Sequence, residues 1–244
     1  MNKISCVRHT LAINLDSAVV AWGKNNYGQC DIPSSALNDV VSVSCGCKHS
    51  LALKSDGTVV AWGDNEYGEC DVPLGLDDVV SIACCKYNCL ALKSDGTVVA
   101  WGRNNVGQCD IPNHLNNVVS IACGYFYSLA LKSDGTVVAW GHNEFIQCNI
   151  PINLNNVISV VCVIDHSLAL KSDGTVVAWG ANYDGQCNVP PNLNNVISIS
   201  CGYKHSLVLK SDGTVVAWGD NYFGQCNVPS NLILYDENSS YILK

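Results

Sequence analysis

Four histidines recur at one position of a regular repeat, and they are the first residues whose types and spacing could support chemistry. They are His9, His49, His166 and His205, and two further copies carry Asn88 and Tyr127 at the same position. Imidazole binds metals and transfers protons near neutral pH, so a ring of such residues invites a metal or catalytic interpretation. A catalytic constellation rarely repeats with ring symmetry, however. We therefore expect each histidine to hydrogen-bond to the backbone, and we expect no enzyme activity, no catalytic residue and no cofactor.

Fifteen cysteines form a second candidate set, and most of them follow the same repeat. Six lie eight residues after a tryptophan, namely Cys30, Cys70, Cys109, Cys148, Cys187 and Cys226. Five precede the histidine position by four residues, namely Cys45, Cys84, Cys123, Cys162 and Cys201, and Cys6 takes this place in the first copy. A cysteine at a constant phase of every copy behaves as a small buried apolar side chain. We expect reduced structural thiols in an intracellular protein, because disulfides form mainly in oxidising compartments.

Cys47, Cys85 and Cys89 fall outside both regular sets. Near Cys45 and Cys84 they offer the thiolate ligands that zinc prefers. Their spacings, Cys-x-Cys and Cys-Cys-x-x-x-Cys, match no standard zinc signature, so we expect no metal. We expect these three thiols to react fastest with a thiol reagent.

Charge and composition disfavour several kinds of partner. The chain has a formal net charge of −8 and no lysine and arginine cluster, which argues against binding nucleic acid or an anionic membrane. Its first residues show no signal-peptide pattern, and no apolar run is long enough to span a bilayer. We expect an intracellular, cytoplasmic monomer, with the nucleus as the alternative compartment.

A decapeptide, Lys-Ser-Asp-Gly-Thr-Val-Val-Ala-Trp-Gly at residues 171–180, organises the rest of the chain. Its six copies are marked by Trp22, Trp62, Trp101, Trp140, Trp179 and Trp218, with spacings of 40, 39, 39, 39 and 39 residues. A fixed period in this range indicates a repeat architecture. Asp-Gly between two apolar or β-branched runs predicts a β-hairpin in each copy. In the first copy Ser17 replaces the glycine, so we expect that hairpin to be the weakest.

Each full copy is predicted to contain four short strands. In one copy these are residues Val118–Cys123, Tyr127–Lys132, 136–140 and 147–150, followed by Pro151. Four strands in each of six copies, with no helix, predict an all-β, six-bladed β-propeller with four antiparallel strands per blade. The alternative is a linear β-solenoid, which usually has a shorter period. We expect one domain over residues 1–244, whose ring is closed or capped by the tail 233–244.

The repeat resembles that of the regulator of chromosome condensation (RCC1-like) family. The motif Val-Val-Ala-Trp-Gly-x-Asn-x-x-Gly-Gln-Cys, followed by Cys-Gly-x-x-His-Ser-Leu-Ala-Leu-Lys-Ser-Asp-Gly-Thr, recurs from residue 4 to about 232. It is also similar to the repeats of α-tubulin-suppressor-like proteins and of propeller-type β-lactamase inhibitor proteins. The resemblance implies a propeller, and the best-known members have seven blades. The family includes a guanine-nucleotide exchange factor, ubiquitin-ligase components, an ultraviolet photoreceptor and enzyme inhibitors. This chain lacks the exchange factor's wedge-like insertion and basic tail.

The six copies differ from one another mainly in two turns. The turn between the first and second strands (the a–b turn) and the turn after the third strand (the c–d turn) vary, whereas the Ser-Asp-Gly turn and the Pro-containing connection are nearly constant. Alternating turns of an antiparallel blade emerge on opposite rims, so one rim is variable. It collects eleven aromatic residues: Tyr27, Tyr67, Tyr87, Tyr125, Phe126, Tyr127, Phe145, Tyr183, Tyr203, Tyr222 and Phe223.

Tyrosine-rich surfaces with mixed charge are typical of protein-binding hot spots. The sequence therefore predicts a protein-binding module whose partner contacts these eleven residues. That partner would be, for example, a small GTPase or an enzyme to be inhibited. The alternatives are a guanine-nucleotide exchange factor for a small GTPase and a structural or assembly component. A further interpretation is that the rings only fill gaps between blades near the channel mouth.

Overall fold

The computed structural model describes residues 3–230 and 232, which form eighteen strands in six three-stranded antiparallel sheets. The sheets are β1 (Ile4–Cys6), β2 (His9–Ile13) and β3 (Val19–Gly23); β4 (Val40–Cys45), β5 (His49–Lys54) and β6 (Val59–Gly63); β7 (Val79–Cys84), β8 (Asn88–Lys93) and β9 (Val98–Gly102); β10 (Val118–Cys123), β11 (Tyr127–Lys132) and β12 (Val137–Gly141); β13 (Val157–Val163), β14 (His166–Lys171) and β15 (Val176–Gly180); β16 (Val196–Cys201), β17 (His205–Lys210) and β18 (Val215–Gly219). A single turn of 3₁₀ helix, Ser34–Ala36, precedes β4. Within the described part of the chain, no helix has the length and apolarity needed to cross a membrane.

The hairpin between the second and third strands forms around the Asp-Gly turn, as predicted. In the β11–β12 hairpin, the Asp134 carboxylate accepts hydrogen bonds from the backbone N–H of Thr136 (3.0 Å) and from its hydroxyl (2.6 Å). Gly135 has a φ of +80°, a conformation that glycine adopts without steric cost. The same local bonds recur in the other hairpins that contain Ser-Asp-Gly-Thr. The first hairpin has Ser17 at a φ of +59° instead.

The prediction of a fourth strand in each blade was wrong, because each described sheet has three. The expected strand at residues 147–150 follows a compact turn that its own side chains organise. The Asn143 side-chain oxygen accepts a hydrogen bond from the Cys148 N–H (2.9 Å), and the Gln147 side-chain oxygen accepts one from the Phe145 N–H (2.9 Å). These side chains satisfy backbone donors that a strand would offer to a neighbour, so no ladder forms here.

Neighbouring sheets are joined by apolar layers and by one recurrent tryptophan contact. The Trp140 indole N–H donates to the Gln108 carbonyl of the preceding repeat (3.0 Å), and the Ser128 hydroxyl donates to the same carbonyl (2.9 Å). Five apolar clusters fill the seams between successive sheets, for example Leu129 and Leu131 against Trp179 of the next sheet. The first strands of four sheets, β4, β7, β10 and β13, line a central cavity of about 400 Å³.

The first and last sheets differ from the other four in the burial of one face. The Trp22 side chain of the first sheet is 52% exposed, whereas the five equivalent tryptophans are 6–8% exposed. Leu207 of the last sheet is half-buried, whereas its counterpart Leu168 is fully buried. The seam that would join these two sheets is therefore not packed like the other five. The tail at 233–244, expected to close or cap the ring, lies outside the described residues.

Candidate functional site

The two variable turns of each repeat lie side by side on one rim. Gly141 ends β12 at a φ of +106°, and a Cβ there would lie 2.6 Å from the Phe126 carbonyl. The next residue, His142, donates its backbone N–H to that same carbonyl (2.9 Å). In the preceding repeat Arg103 makes the same bond to the Tyr87 carbonyl (2.9 Å). The glycine after each tryptophan thus allows the c–d turn to rest against the a–b turn.

Six rings from four consecutive repeats form a continuous chain of aromatic contacts on this rim. Successive ring centroids are 5.3–6.2 Å apart, in the order Tyr67, Tyr87, Phe126, His142, Phe145 and Tyr183. We call these six residues the aromatic ribbon. Most of the contacts are edge-to-face, the geometry that the ring quadrupoles favour, and each pair contributes about 0.5–1.5 kcal/mol beyond area burial. Five of the six were predicted from the sequence as site residues, and His142 was not.

Two cations lie over the ribbon. The Lys86 ammonium is 4.9 Å from the Tyr87 ring centroid and 5.2 Å from that of Phe126. The Arg103 guanidinium is 4.5 Å from the Tyr67 ring and 5.1 Å from the Tyr87 ring. Among residues 3–230 and 232, neither cation is within ion-pair distance of a carboxylate. Both positive charges therefore sit at cation–π distance from the rings and are free to meet a carboxylate from outside.

A cavity of about 330 Å³ opens beside the ribbon, among the turns of the third, fourth and fifth repeats. Phe126, His142, Glu144 and Asp165 are among its lining residues. Burial raises the pKa of the Asp165 carboxyl, while the positive charges of His142 and Lys86 oppose that shift. The His142 imidazole also lies 3.3 Å from the Glu144 carboxylate. The cavity thus has aromatic walls, with titratable groups along its edge.

The other predicted aromatic residues are not part of the ribbon. Tyr27 packs under the Lys48 ammonium, which is 4.1 Å from the ring centroid. Tyr222 and Phe223 form an exposed pair at the last repeat, with centroids 4.8 Å apart. Tyr203 is exposed and lines a small hollow that Tyr183 also lines. The Tyr125 hydroxyl lies 3.8 Å from the Cys47 sulfur, so its tip contacts the a–b turn of another sheet. The structure therefore brings together only part of the predicted set.

Tyr127 was wrongly predicted to contact a partner. Its side chain is fully buried, and its hydroxyl donates to the His166 carbonyl (2.8 Å) and lies 2.9 Å from the Ser167 hydroxyl. It opens β11 at the position that histidine occupies in other repeats, where the side chain points into the seam with the next sheet. Tyr127 is a core residue of that seam.

Two of the recurrent histidines contact side chains of the next repeat. The His9 imidazole lies 2.7 Å from the Ser50 hydroxyl of the next repeat, and the His166 imidazole lies 3.3 Å from the equivalent Ser206. His166 also makes the expected hydrogen bond to the backbone, at His205. Burial lowers the pKa of both imidazoles to about 4, so they are neutral at pH 7. No group of three or more metal-ligating side chains is found within the described residues.

The thiols are free in the described structure, but the three that were expected to react fastest are buried. Cys47, Cys85 and Cys89 are 3%, 3% and 0% exposed. Cys47 and Cys85 lie in turns that pack toward the centre of the molecule, whereas Cys89 lies in β8 and packs in the seam between two sheets. The Cys47 N–H, for example, donates to the Cys85 carbonyl of the neighbouring sheet (3.0 Å). Cys6 is the exposed thiol among the fifteen.

Comparison with known proteins identifies the repeat. The family model for the regulator of chromosome condensation (RCC1) repeat matches residues 40–69, 79–108, 118–147, 157–186 and 196–225. No curated protein matches the chain.

Among solved structures, Prp20p from Saccharomyces cerevisiae is 23% identical, with a TM-score of 0.73 over 87% of this chain and 70% of that one. Human WBSCR16 is 22% identical, with a TM-score of 0.75 over 96% and 80%. The ectodomain of receptor kinase CR4 from Physcomitrella patens is 20% identical, with a TM-score of 0.77 over 93% and 66%. At these identities the likeness is one of fold. Because the family model covers more than half of the residues, the chain belongs to the RCC1 repeat family, and its six sheets have the family's propeller fold.

Proposed function

We propose that the protein is a non-enzymatic binding module that holds a protein partner through the aromatic ribbon and its two cations. The observation that carries the proposal is the placement of Lys86 and Arg103 over the Tyr67, Tyr87 and Phe126 rings, with no carboxylate of the described residues within ion-pair distance. Tyrosine and arginine are enriched among the residues that dominate binding energy at protein interfaces. Here the tyrosines of the ribbon and the Arg103 side chain lie in contact on the same rim.

The ribbon is suited to binding because it is already ordered. Its rings hold one another by edge contacts, and a pre-packed aromatic side chain loses little conformational entropy when a partner covers it. Tyr67 and Tyr183 at the two ends are exposed. Two positive charges, Lys86 and Arg103, lie over the first three rings although the whole chain carries a net charge of −8. Charge complementarity therefore favours a partner segment that places a carboxylate between apolar side chains.

The opposite rim offers much less to a partner. Its Asp-Gly turns repeat nearly unchanged, and their polar side chains are engaged with one another. In one of them the Lys132 ammonium lies 3.4 Å from the Asp134 carboxylate, which also binds Thr136. A surface that presents the same bonded turn several times has few groups that distinguish one partner from another.

Regulation of a small GTPase is the second candidate. Prp20p, which shares the fold, has been described for its binding to Gsp1p and histones. The family also includes an exchange factor. No repeat of this chain contains a wedge-like insertion, which makes this candidate the weaker one. It predicts faster release of labelled guanine nucleotide from a candidate GTPase when the protein is added.

The experiment compares the two rims in quantitative binding to a partner that the wild-type protein retains from native cell lysate. Tyr87→Ala and Arg103→Ala test the ribbon, and Ser133→Ala and Asn155→Ala on the opposite rim are the matched controls. Removing a hot-spot side chain costs about 2 kcal/mol or more, or roughly thirtyfold in affinity. The controls should stay within about threefold of wild type. Thermal melts separate lost binding from lost folding, and a sensitive control rim with an indifferent ribbon would refute the proposal.

A further inference from the structure

The third sheet places two cysteines directly opposite each other. Cys84 at the end of β7 and Cys89 in β8 are cross-strand partners in the antiparallel register. The Cys85 N–H donates to the Asn88 carbonyl (3.3 Å), so the Cys84–Cys89 pair occupies the adjacent non-hydrogen-bonded site. Cα atoms at such a site are about 4.5 Å apart, and the two side chains lie on the same face of the sheet. Disulfides occur at Cα separations from about 4.4 to 6.8 Å, so this pair meets their geometric requirement.

The pair is peculiar to this repeat. In four other sheets the residue opposite the cysteine is a serine, in the pairs Cys45–Ser50, Cys123–Ser128, Cys162–Ser167 and Cys201–Ser206. In three of them the serine hydroxyl donates to a backbone carbonyl of the preceding repeat, as Ser128 does to Gln108 (2.9 Å). Cys89 replaces that serine and makes a longer contact with the Glu69 carbonyl (3.6 Å). The substitution weakens a structural hydrogen bond and adds a second thiol.

A basic group and an access route complete the site. The His49 imidazole lies 3.3 Å from the Cys89 sulfur, and its other ring nitrogen is buried without a hydrogen-bond partner among the described residues. Cys84 is partly exposed and lines the central cavity of about 400 Å³, whereas Cys89 is fully buried behind it. Burial opposes ionisation of Cys84, but hydrogen bonds from Cys89 and His49 outweigh it and hold the pKa of this thiol below its usual value. A small oxidant in the cavity therefore meets Cys84 first.

We propose that Cys84 and Cys89 form a reversible disulfide when the protein encounters a hydroperoxide. With hydrogen peroxide, the Cys84 thiolate attacks one oxygen and the O–O bond breaks. The hydroxide that leaves takes up the proton that the Cys84 thiol lost on ionisation and becomes the first water. Cys89 then gives its proton to His49 and attacks the sulfur of the Cys84 sulfenic acid. The hydroxide that leaves takes the proton from His49 and becomes the second water. Two thiols lose two electrons in total, and the peroxide is reduced by the same two electrons.

The proposed Cys84–Cys89 disulfide lies at the base of an a–b turn that contributes side chains to the variable rim. Residues 85–88 connect the two cysteines, and Lys86 and Tyr87 of the binding rim lie within this turn. Oxidation would tether both ends of the turn at the point where it leaves the sheet. The proposal does not depend on the proposed function, because the chemistry of the pair can be measured without a partner.

The test uses the reduced full-length protein, treated with a small excess of hydrogen peroxide and then blocked with a thiol-alkylating reagent under denaturing conditions. Before alkylation, we expect the intact mass to be lower by two hydrogen atoms than that of the reduced protein. After alkylation, two thiols should remain unmodified, and dithiol reduction should make both of them reactive again. Trypsin cleaves after Lys86 and Lys93, and the peptide 87–93 contains Cys89 as its one cysteine. A Cys84–Cys89 bond therefore links this peptide to the peptide 55–86, and fragmentation distinguishes Cys84 from Cys70 and Cys85.

Cys89→Ser is the matched control, because it restores the residue that four other repeats carry. It should abolish the linkage and leave Cys84 as a sulfenic or higher acid. His49→Asn introduces the residue found at Asn88 and tests the imidazole. It should slow disulfide formation at least about tenfold and change its dependence on pH, which a purely structural role would not do. Full alkylation of the treated wild-type protein would overturn the proposal, and so would a Cys47–Cys85 linkage in place of the expected one.

Discussion

Trp101 and Trp22 occupy equivalent positions in the third and first sheets, but their replacement by alanine should have very different costs. Trp101 is 6% exposed, and its indole N–H donates to the Glu69 carbonyl of the preceding repeat (2.9 Å). Trp22 is 52% exposed and makes no such bond among the described residues. The two sites share the local sequence Val-Val-Ala-Trp-Gly, so the comparison isolates the packing of the seam.

The expected difference follows from the buried area. Trp101 buries roughly half a side chain more than Trp22, or about 100 Å², which corresponds to about 2.5 kcal/mol at about 25 cal/mol per Å². The hydrogen bond to Glu69 adds about 1 kcal/mol. Truncation of a buried tryptophan typically costs about 3–5 kcal/mol. We therefore expect Trp101→Ala to lower the free energy of unfolding by about 4 kcal/mol, and Trp22→Ala by about 1 kcal/mol.

The assay is guanidinium unfolding of the full chain followed by circular dichroism, with Trp140→Ala as a second buried case. Repeat proteins do not always unfold in one step, so amide hydrogen exchange in β2–β3 and β8–β9 should accompany the melts. Equal costs at Trp22 and Trp101 would refute the reasoning. They would mean that another part of the chain or a second molecule covers the first sheet in solution.

Two further changes test local features of the fold. Ser17→Gly should raise the free energy of unfolding by about 0.5–1 kcal/mol, because Ser17 holds a φ of +59° that glycine adopts without strain, and a destabilised variant would contradict this. His166→Asn should make stability less sensitive to acid in denaturant titrations between pH 4 and 7. The folded-state pKa of His166 is about 4 against an ordinary value of 6.5, so the unfolded chain binds the proton first as pH falls, and the wild type loses stability through this interval. An unchanged pH profile in the variant would show that His166 does not contribute.

The sequence predicted those elements whose signals are local. Apolar and β-branched runs on both sides of Asp-Gly placed the second and third strands of each sheet, and the structure forms them at these positions. The expected fourth strand also had an apolar pattern, at residues 147–150. Asn143 and Gln147, which replace the ladder by side-chain bonds, were visible in the sequence as turn-forming amides. Their preference for local backbone donors outweighs the apolar pattern.

Side-chain burial was harder to predict, because it depends on contacts between sheets. Tyr127 was grouped with the rim by its aromatic character, although the sequence also placed it at the histidine position and at the start of the predicted second strand, where the structure has it. Cys47 and Cys85 lie in turns, where exposure is the usual expectation. Their burial arises from the a–b turns of different sheets meeting at the centre of the molecule, and no single repeat contains that information.

The division between a constant scaffold and a variable rim has a physical basis. In the fourth repeat the Trp140 indole and the Ser128 hydroxyl both bind the Gln108 carbonyl; the tryptophan bond recurs in four other seams, and the serine bond in two of them. These contacts use strand side chains and a backbone carbonyl of the c–d turn, and they do not involve the side chains of Lys86 and Tyr87. A change at Lys86 or Tyr87 therefore alters the rim without removing a bond on which two sheets depend. The aromatic ribbon, which is the binding surface proposed above, therefore lies where side chains can vary without loss of these seam bonds.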